Sequence, residues 1–235
     1  MSRVIKAKEF LSEFGIAISD AENRLSELKP NDGEYFNEDG SKTHYLIPLY
    51  FSAISLILNN VTDILEIGTG CGNITNLLAK LFPSAMVYTI DIPRSDKDYK
   101  RLAWRYFKGE GMKKFKTNIN ENNIKFIKKN SFFLPSMGFS QEFDFIYVDG
   151  GHLYPAVAWD IMFAYNYLRP GGFAFFHDYG DDVDVKKVIE YIRNIIDEEI
   201  NLVCSSVDCE EKNAAWLRKS TGEKVARDQQ RGIEA

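Results

Sequence analysis

The sequence predicts an α/β fold, a doubly wound sheet of seven strands with helices packed on both faces. Short apolar runs at 63–67, 86–90, 143–148 and 173–177 have the length and composition of strands buried in a parallel sheet, and 124–128 reads as a short, partly alternating strand among them. Segments with apolar residues at helical spacing separate them. The first run meets a glycine-rich turn, Gly68-Thr-Gly-Cys-Gly72, where such sheets feed a strand into a helix.

Composition sets the outer bounds. At 235 residues and 45% hydrophobic content, the chain is one domain large enough to bury a core. No apolar run approaches the ~20 residues needed to cross a bilayer, so no membrane partner is expected. Lys6, Lys8, Glu9 and Glu13 interrupt any signal-peptide order at the start. Cys71, Cys204 and Cys209 give neither an even framework nor a metal spacing, and a reducing, cytoplasmic compartment is expected. A net charge of −5 argues against nucleic acid as a partner, and Lys113, Lys114 and Lys116 read as a solvated loop.

In chain order, residues 4–28 read as two short helices or one interrupted near Gly15, and 29–42 as loop. Residues 43–60 form an apolar-striped helix leading into the first strand. The expected organisation is a cap over 1–42, the main domain over 43–219 and a polar tail over 220–235. Tyr35, Phe36 and His44 stand either at a substrate mouth or on the surface. The first strand carries Glu66, helix 73–82 stops at Pro83, and the strand at 86–90 ends in Asp91. Position 73 is Asn, so the third glycine of a dinucleotide fingerprint is missing. A carboxylate two residues before the turn suits an ammonium or sulfonium ligand better than a pyrophosphate.

Glu66-Ile-Gly-Thr-Gly-Cys-Gly72 with Asp91 closing the next strand resembles motif I and the following acidic motif of the class I S-adenosylmethionine-dependent methyltransferases. The resemblance implies a Rossmann-like, mostly parallel sheet and an S-adenosylmethionine site at Glu66, Gly68, Thr69, Gly70, Gly72, Asp91, Ile92, Asn130, Ser131 and Asp149. It also implies that segment 43–60 packs beside the cofactor. Asn130 stands where the family usually has an acid that bonds the adenine amino group, and its amide oxygen can accept that bond.

Residues 97–108 read as a helix, and 109–123 as a polar connection or flap. The second concentration of chemistry follows. Asp149 ends the strand at 143–148, Gly150-Gly151-His152 leads to a helix over 154–168, and Arg169-Pro-Gly-Gly172 launches the strand that ends at His177-Asp178. This part is similar to the methyltransferase group of macrocin O-methyltransferase and the cephalosporin hydroxylase-like proteins, and more distantly to catechol O-methyltransferase. The similarity implies magnesium (Mg2+) held by Asp149 and Asp178, with His152 as general base and Asp149 as a catalytic group. The competing roles for the two acids are hydrogen bonds to the cofactor amine or to helix amides. Tyr179 departs from the ligating asparagine of catechol-type enzymes, so Asp181, Asp182 or water would have to replace it.

A helix over 184–199 and strands at 201–207 and 214–218 complete the sheet, and the resemblance pairs these last strands as an antiparallel hairpin. The expected activity is methylation of a small-molecule hydroxyl. Two alternatives stay open, a metal-independent N- or C-methyltransferase and a non-catalytic S-adenosylmethionine-binding subunit. The sequence leaves open the acceptor's identity and whether copies associate as a homo-oligomer.

Overall fold

Four of the five short runs are apolar enough to cover most of both faces of their strands, the run at 124–128 alternates at the sheet edge, and all five line up in parallel as the sequence predicts. The computed structural model describes residues 4–28, 46–93, 110–139, 142–180, 182–204 and 213–221. Among these, eight strands form one sheet: β1 (Val4–Ile5), β2 (Asp63–Ile67), β3 (Met86–Asp91), β4 (Ile124–Lys128), β5 (Phe143–Val148), β6 (Leu168–Phe176), β7 (Asn201–Cys204) and β8 (Asn213–Arg218). Their order is β1-β7-β8-β6-β5-β2-β3-β4, and β8 alone runs antiparallel to its neighbours. The eighth strand is a correction to the expected seven. Val4 and Ile5 pair in parallel with Leu202 and Val203 at the sheet edge.

Alternation along the strands builds two cores. On one face Ile64, Phe145, Tyr147, Phe173 and Phe175 meet α1 (Ala7–Glu13), α2 (Ile18–Leu28), α3 (Ile47–Ile57) and α4 (Asn73–Leu81). Phe10 of α1 packs edge-on against Tyr50 and Trp216, at 5.0 and 5.1 Å, so the N-terminal helices share the main core. On the other face Leu65, Ile67, Ile146, Val148, Ala174 and Phe176 meet α6 (Ala156–Tyr167) and α7 (Val183–Ile192).

A second correction concerns residues 109–123. Glu110–Asn118 form a helix, α5, which buries Phe115 and Asn118 while Lys113, Lys114 and Lys116 face solvent. The buried pair stands three residues apart, which places it on one face. Cys204 is disulfide-bonded, so the expectation of reduced thiols does not hold there. The expected helix at 97–108, Tyr35, Phe36, His44 and the tail lie outside the described residues. No described helix is long and apolar enough to cross a membrane.

The junction of β5 and β6 rests on one acid. Between Leu168 and Phe173 the chain bulges while its partner strand advances only from Phe143 to Phe145. Gly172 sits where a Cβ would meet the Asp144 carbonyl at 2.6 Å, so only glycine fits. Asp144 accepts from Arg169 at 2.6 Å through one oxygen and from the Thr62 and Asp63 amides, at 2.8 and 3.1 Å, through the other. Asp144→Ala strands those donors and is expected to lower stability by about 2–4 kcal/mol, read by denaturant titration. Cofactor affinity of the folded variant should be unchanged, because Asp144 lies at the opposite end of β5 from Asp149.

Candidate active site

Sheet register decides which side chains meet. Ile67 pairs with both Ile90 and Val148, and Val148 pairs with Phe176. The next residues, Asp91, Gly68, Asp149 and His177, therefore leave the sheet side by side at its carboxyl edge. Backbone bonds fix the row: Gly68 donates to Ile90 O at 2.9 Å, Asp149 to Ile67 O at 2.8 Å and His177 to Val148 O at 3.0 Å. The chain departs from β2 in opposite directions to β3 and β5, which opens a ligand crevice at this point.

The glycine turn forms one wall. Gly68 has φ +102°, and a Cβ there would lie 2.0 Å from the Asp149 carbonyl oxygen, which excludes any other residue. Asp91 clamps the turn: one oxygen accepts from Gly70 N–H at 3.0 Å and the other from Ile92 N–H at 2.8 Å. Burial raises its pKa, and the amides of Gly70, Ile92 and Thr69 pull it part of the way back. Gly70 leaves open space beside its backbone, and Gly72 sits at the entry to α4 against Asn118.

Glu66 lies beneath this turn, only 1% exposed, and its Oε2 accepts from the Thr75 and Thr89 hydroxyls. Burial pushes its pKa up to about 8, so the carboxyl ties α4 and β3 to β2 in largely neutral form. Thr69 likewise turns inward, its hydroxyl 2.7 Å from that of Thr89. Asn118 escapes sequence reasoning. Its amide donates to Cys71 O at 3.0 Å and to Asn73 Oδ1 at 2.6 Å, and its carbonyl accepts from Asn76 at 3.0 Å. It locks the turn from the far side, and its three-residue spacing from Phe115 is the signal that could have found it.

Asn130 caps a short 3-10 helix, Ser131–Met137, by accepting from Phe132 N–H at 3.0 Å. The oxygen expected to meet adenine is thus already engaged, with one lone pair remaining. Behind Ser131 sits another residue the sequence reading missed. Asp160 of α6 is 1% exposed, and neither carboxylate oxygen has a hydrogen-bond partner among the described residues. Burial raises its pKa to about 7, slightly offset by Ser131, which stands outside hydrogen-bond geometry. Oδ2 presses on Gly150, where a Cβ would be 3.0 Å away. A single acid in the apolar helix AVAWDIMFAYNY is the signal that points to it.

The opposite wall carries two acids and two histidines. His152 Nε2 lies 2.9 Å from Asp178 Oδ2 and 3.9 Å from Asp149 Oδ1, and its Nδ1 lies 3.7 Å from Asp182 Oδ2. His177 Nδ1 stands 2.8 Å from Asp178 Oδ1 and 3.5 Å from Asp149 Oδ1. Asp149 also accepts from the Tyr147 hydroxyl at 3.2 Å. Asp149 and Asp178 push the His152 pKa up to about 10, Asp178 making the shorter contact. The ring is therefore protonated at neutral pH. For His177, burial disfavours the charged form, but Asp178 and Asp149 outweigh it and raise the pKa. Burial would likewise raise the pKa of Asp178, but its two histidine partners hold it well below the usual range. Asp178 adopts a left-handed backbone, φ 57°, a conformation few non-glycine residues hold without local compensation.

Asp149, His152 and Asp178 each offer a donor atom within 4.8 Å of the others, a set that fits a divalent cation. Tyr179 does not join them. It is buried, and its hydroxyl donates to Glu190 at 3.2 Å. Asp182 caps α7 through Oδ1 and turns Oδ2 toward His152. Asp181 lies outside the described residues.

Residues 65–179 match the family model of a methyltransferase domain. Among solved structures, the O-methyltransferase NovP superposes with a TM-score of 0.55 at 16% identity, over 91% of this chain and 99% of NovP. The O-methyltransferase TomG from Streptomyces achromogenes, in complex with S-adenosylmethionine, gives 0.54 at 15%, over 91% and 96%. An rRNA methylase from Streptococcus thermophilus gives 0.53 at 15%, over 74% and 96%. At these identities the likeness is one of fold. No curated protein matches the chain.

Asp160 generates a pH test. A raised folded-state pKa makes the neutral acid the stable form, so its contribution is full below the ordinary 3.8 and lost as pH climbs through about 7. Glu66 adds a loss of the same sign through about 8. Asp160→Asn removes only the first, so its melting temperature relative to wild type should be distinctly higher at pH 8 than at pH 5. A difference that stays flat between those pH values would mean that Asp160 is not buried as the neutral acid.

Proposed function

We propose, for a chain whose methyltransferase domain and fold make it a class I S-adenosylmethionine-dependent methyltransferase, that the methyl acceptor is a hydroxyl of a small molecule. One observation carries the reading. The Asp149, His152, Asp178 cluster stands beside the glycine turn, so a proton-handling group adjoins the site for the methyl donor. A hydroxyl must lose its proton to become a competent nucleophile, whereas a neutral amine attacks without prior deprotonation. The rRNA methylase shares this fold too, so fold alone does not choose the acceptor. The acidic net charge and the solvent-facing scatter of the α5 lysines favour a small molecule over nucleic acid.

In this reading the cofactor lies along the glycine turn, with Asp91 directed to the ribose hydroxyls and residues 130–131 beside the adenine. Asp149 and Asp178 would hold the divalent cation, magnesium by resemblance, which when bound acidifies and positions a hydroxyl. At neutral pH Asp149 and Asp178 keep His152 protonated, so His152 would accept the hydroxyl proton only where a cation neutralises those two acids. The acceptor oxygen then attacks the sulfonium methyl in line, with S-adenosylhomocysteine as the leaving product. Much of the acceleration comes from holding oxygen and methyl carbon in near-attack geometry.

Incubation with S-adenosylmethionine and a panel of small hydroxyl compounds should yield a product heavier by one methyl group, and transfer only to amines or carbon would refute the reading. Asp91→Ala should weaken S-adenosylhomocysteine binding by roughly 1.5–3 kcal/mol per hydrogen bond lost, measured by calorimetry. His152→Ala should keep that affinity while turnover falls about 10²–10⁴-fold. A lower melting temperature with weakened cofactor binding would instead mark His152 as structural.

A further inference from the structure

His177 was read from the sequence only as the residue that ends a strand. In the structure its largely covered ring stands against the two acids, its backbone N–H bonded to Val148 O and its ring packed edge-to-face with Tyr147. Nδ1 faces two different carboxylates, at 2.8 Å from Asp178 Oδ1 and 3.5 Å from Asp149 Oδ1. Neighbouring donors around one six-coordinate ion with bonds of ~2.1 Å stand roughly 3 Å apart. Nδ1 already stands at about that spacing from one oxygen of each acid. His152 approaches Asp178 through the other oxygen, Oδ2, and stands farther from Asp149 Oδ1, at 3.9 Å. Among the described residues, Tyr179 bonds Glu190 and Asp182 is engaged by the α7 cap and His152.

We infer that His177 Nδ1 is the third protein ligand of the site, and that it selects a first-row transition dication such as Mn2+, Fe2+ or Co2+ over magnesium. An imidazole nitrogen suits these ions, whereas magnesium prefers an all-oxygen shell. The inference rests on the metal-assisted reading above and changes the ion. It leaves His152 free to handle the proton, which a ligating His152 could not do through the same nitrogen.

The test uses the full chain, stripped of metal and saturated with S-adenosylhomocysteine, and reads binding rather than turnover. Mn2+ should bind and show nitrogen-14 coupling in pulsed electron paramagnetic resonance. That coupling should vanish in His177→Gln and persist in His152→Gln, with melting curves confirming that both variants fold. His177→Asp restores an all-carboxylate set and should move the Mg2+ to Mn2+ affinity ratio toward magnesium by about tenfold or more, at least the scale of losing an outer-shell partner. Mn2+ binding without nitrogen coupling in the wild type overturns the inference and leaves the metal-assisted reading standing. Coupling lost in His152→Gln but kept in His177→Gln assigns the ligand to His152 and overturns it equally. No binding of any divalent ion removes both readings.

Discussion

The close passage of the Asp149 carbonyl over Gly68 is the constraint on which the rest of the site depends. With a Cβ excluded at 2.0 Å, the backbone of the glycine turn and the backbone leaving β5 behave as one body. In the proposed reading the turn is the cofactor wall and Asp149 begins the proton-handling wall. Donor and acceptor sites would then be set in relation to each other by main-chain contact, with no flexible side chain between them. Such coupling suits a transfer in which a small misplacement of oxygen against carbon is costly.

Polar groups under the sheet edge keep that contact rigid. Glu66, Thr69, Thr75 and Thr89 form a buried network joining β2, β3 and α4. Asn118 does the same from α5, and Asn123 donates to three carbonyls, Ala79, Phe82 and Ala85, where α4 turns into β3. A buried network specifies one arrangement when its members are satisfied. Asp160 is an exception, buried beside Gly150 with no hydrogen-bond partner among the described residues. Sites often keep a local violation of this kind, where a residue is held for position and stability is lost.

Much of this was legible in the chain, for reasons particular to each segment. The runs ending at Glu66–Ile67, Ile90 and Val148 announce strands because a doubly covered strand is apolar throughout, and the turn between them is readable from its glycines. β1 was not legible, since two residues make no periodicity and only pairing with β7 defines it. α5 was hidden by its lysines: its buried face is reduced to Phe115 and Asn118, and an asparagine carries no hydrophobic signal. Glu66 was visible as an acid before the turn, but strand alternation, which sends it toward α4 and Thr75, decides where it points. His177 was passed over because the adjacent Asp178 explained the motif, and only the register of β6 against β5 shows which of the two faces Asp149.

The charge pattern at the carboxyl edge explains how so many titratable groups can share one place. Two carboxylates at neighbouring strand ends repel, and Asp178 additionally holds an unfavourable backbone conformation. Two imidazoles are placed to offset both, one on each oxygen of Asp178, and both carry pKa values raised by those acids. The cluster is thus close to neutral as a unit, although each member alone would be costly to bury. In the proposed reading, a cation held between the acids would take over that compensation and leave His177 Nδ1 able to serve as a ligand and His152 able to accept a proton. The side chains that offset one another's charge are then the ones the proposed chemistry requires, which accounts for the density of titratable groups in a sheet edge otherwise built from phenylalanine and isoleucine.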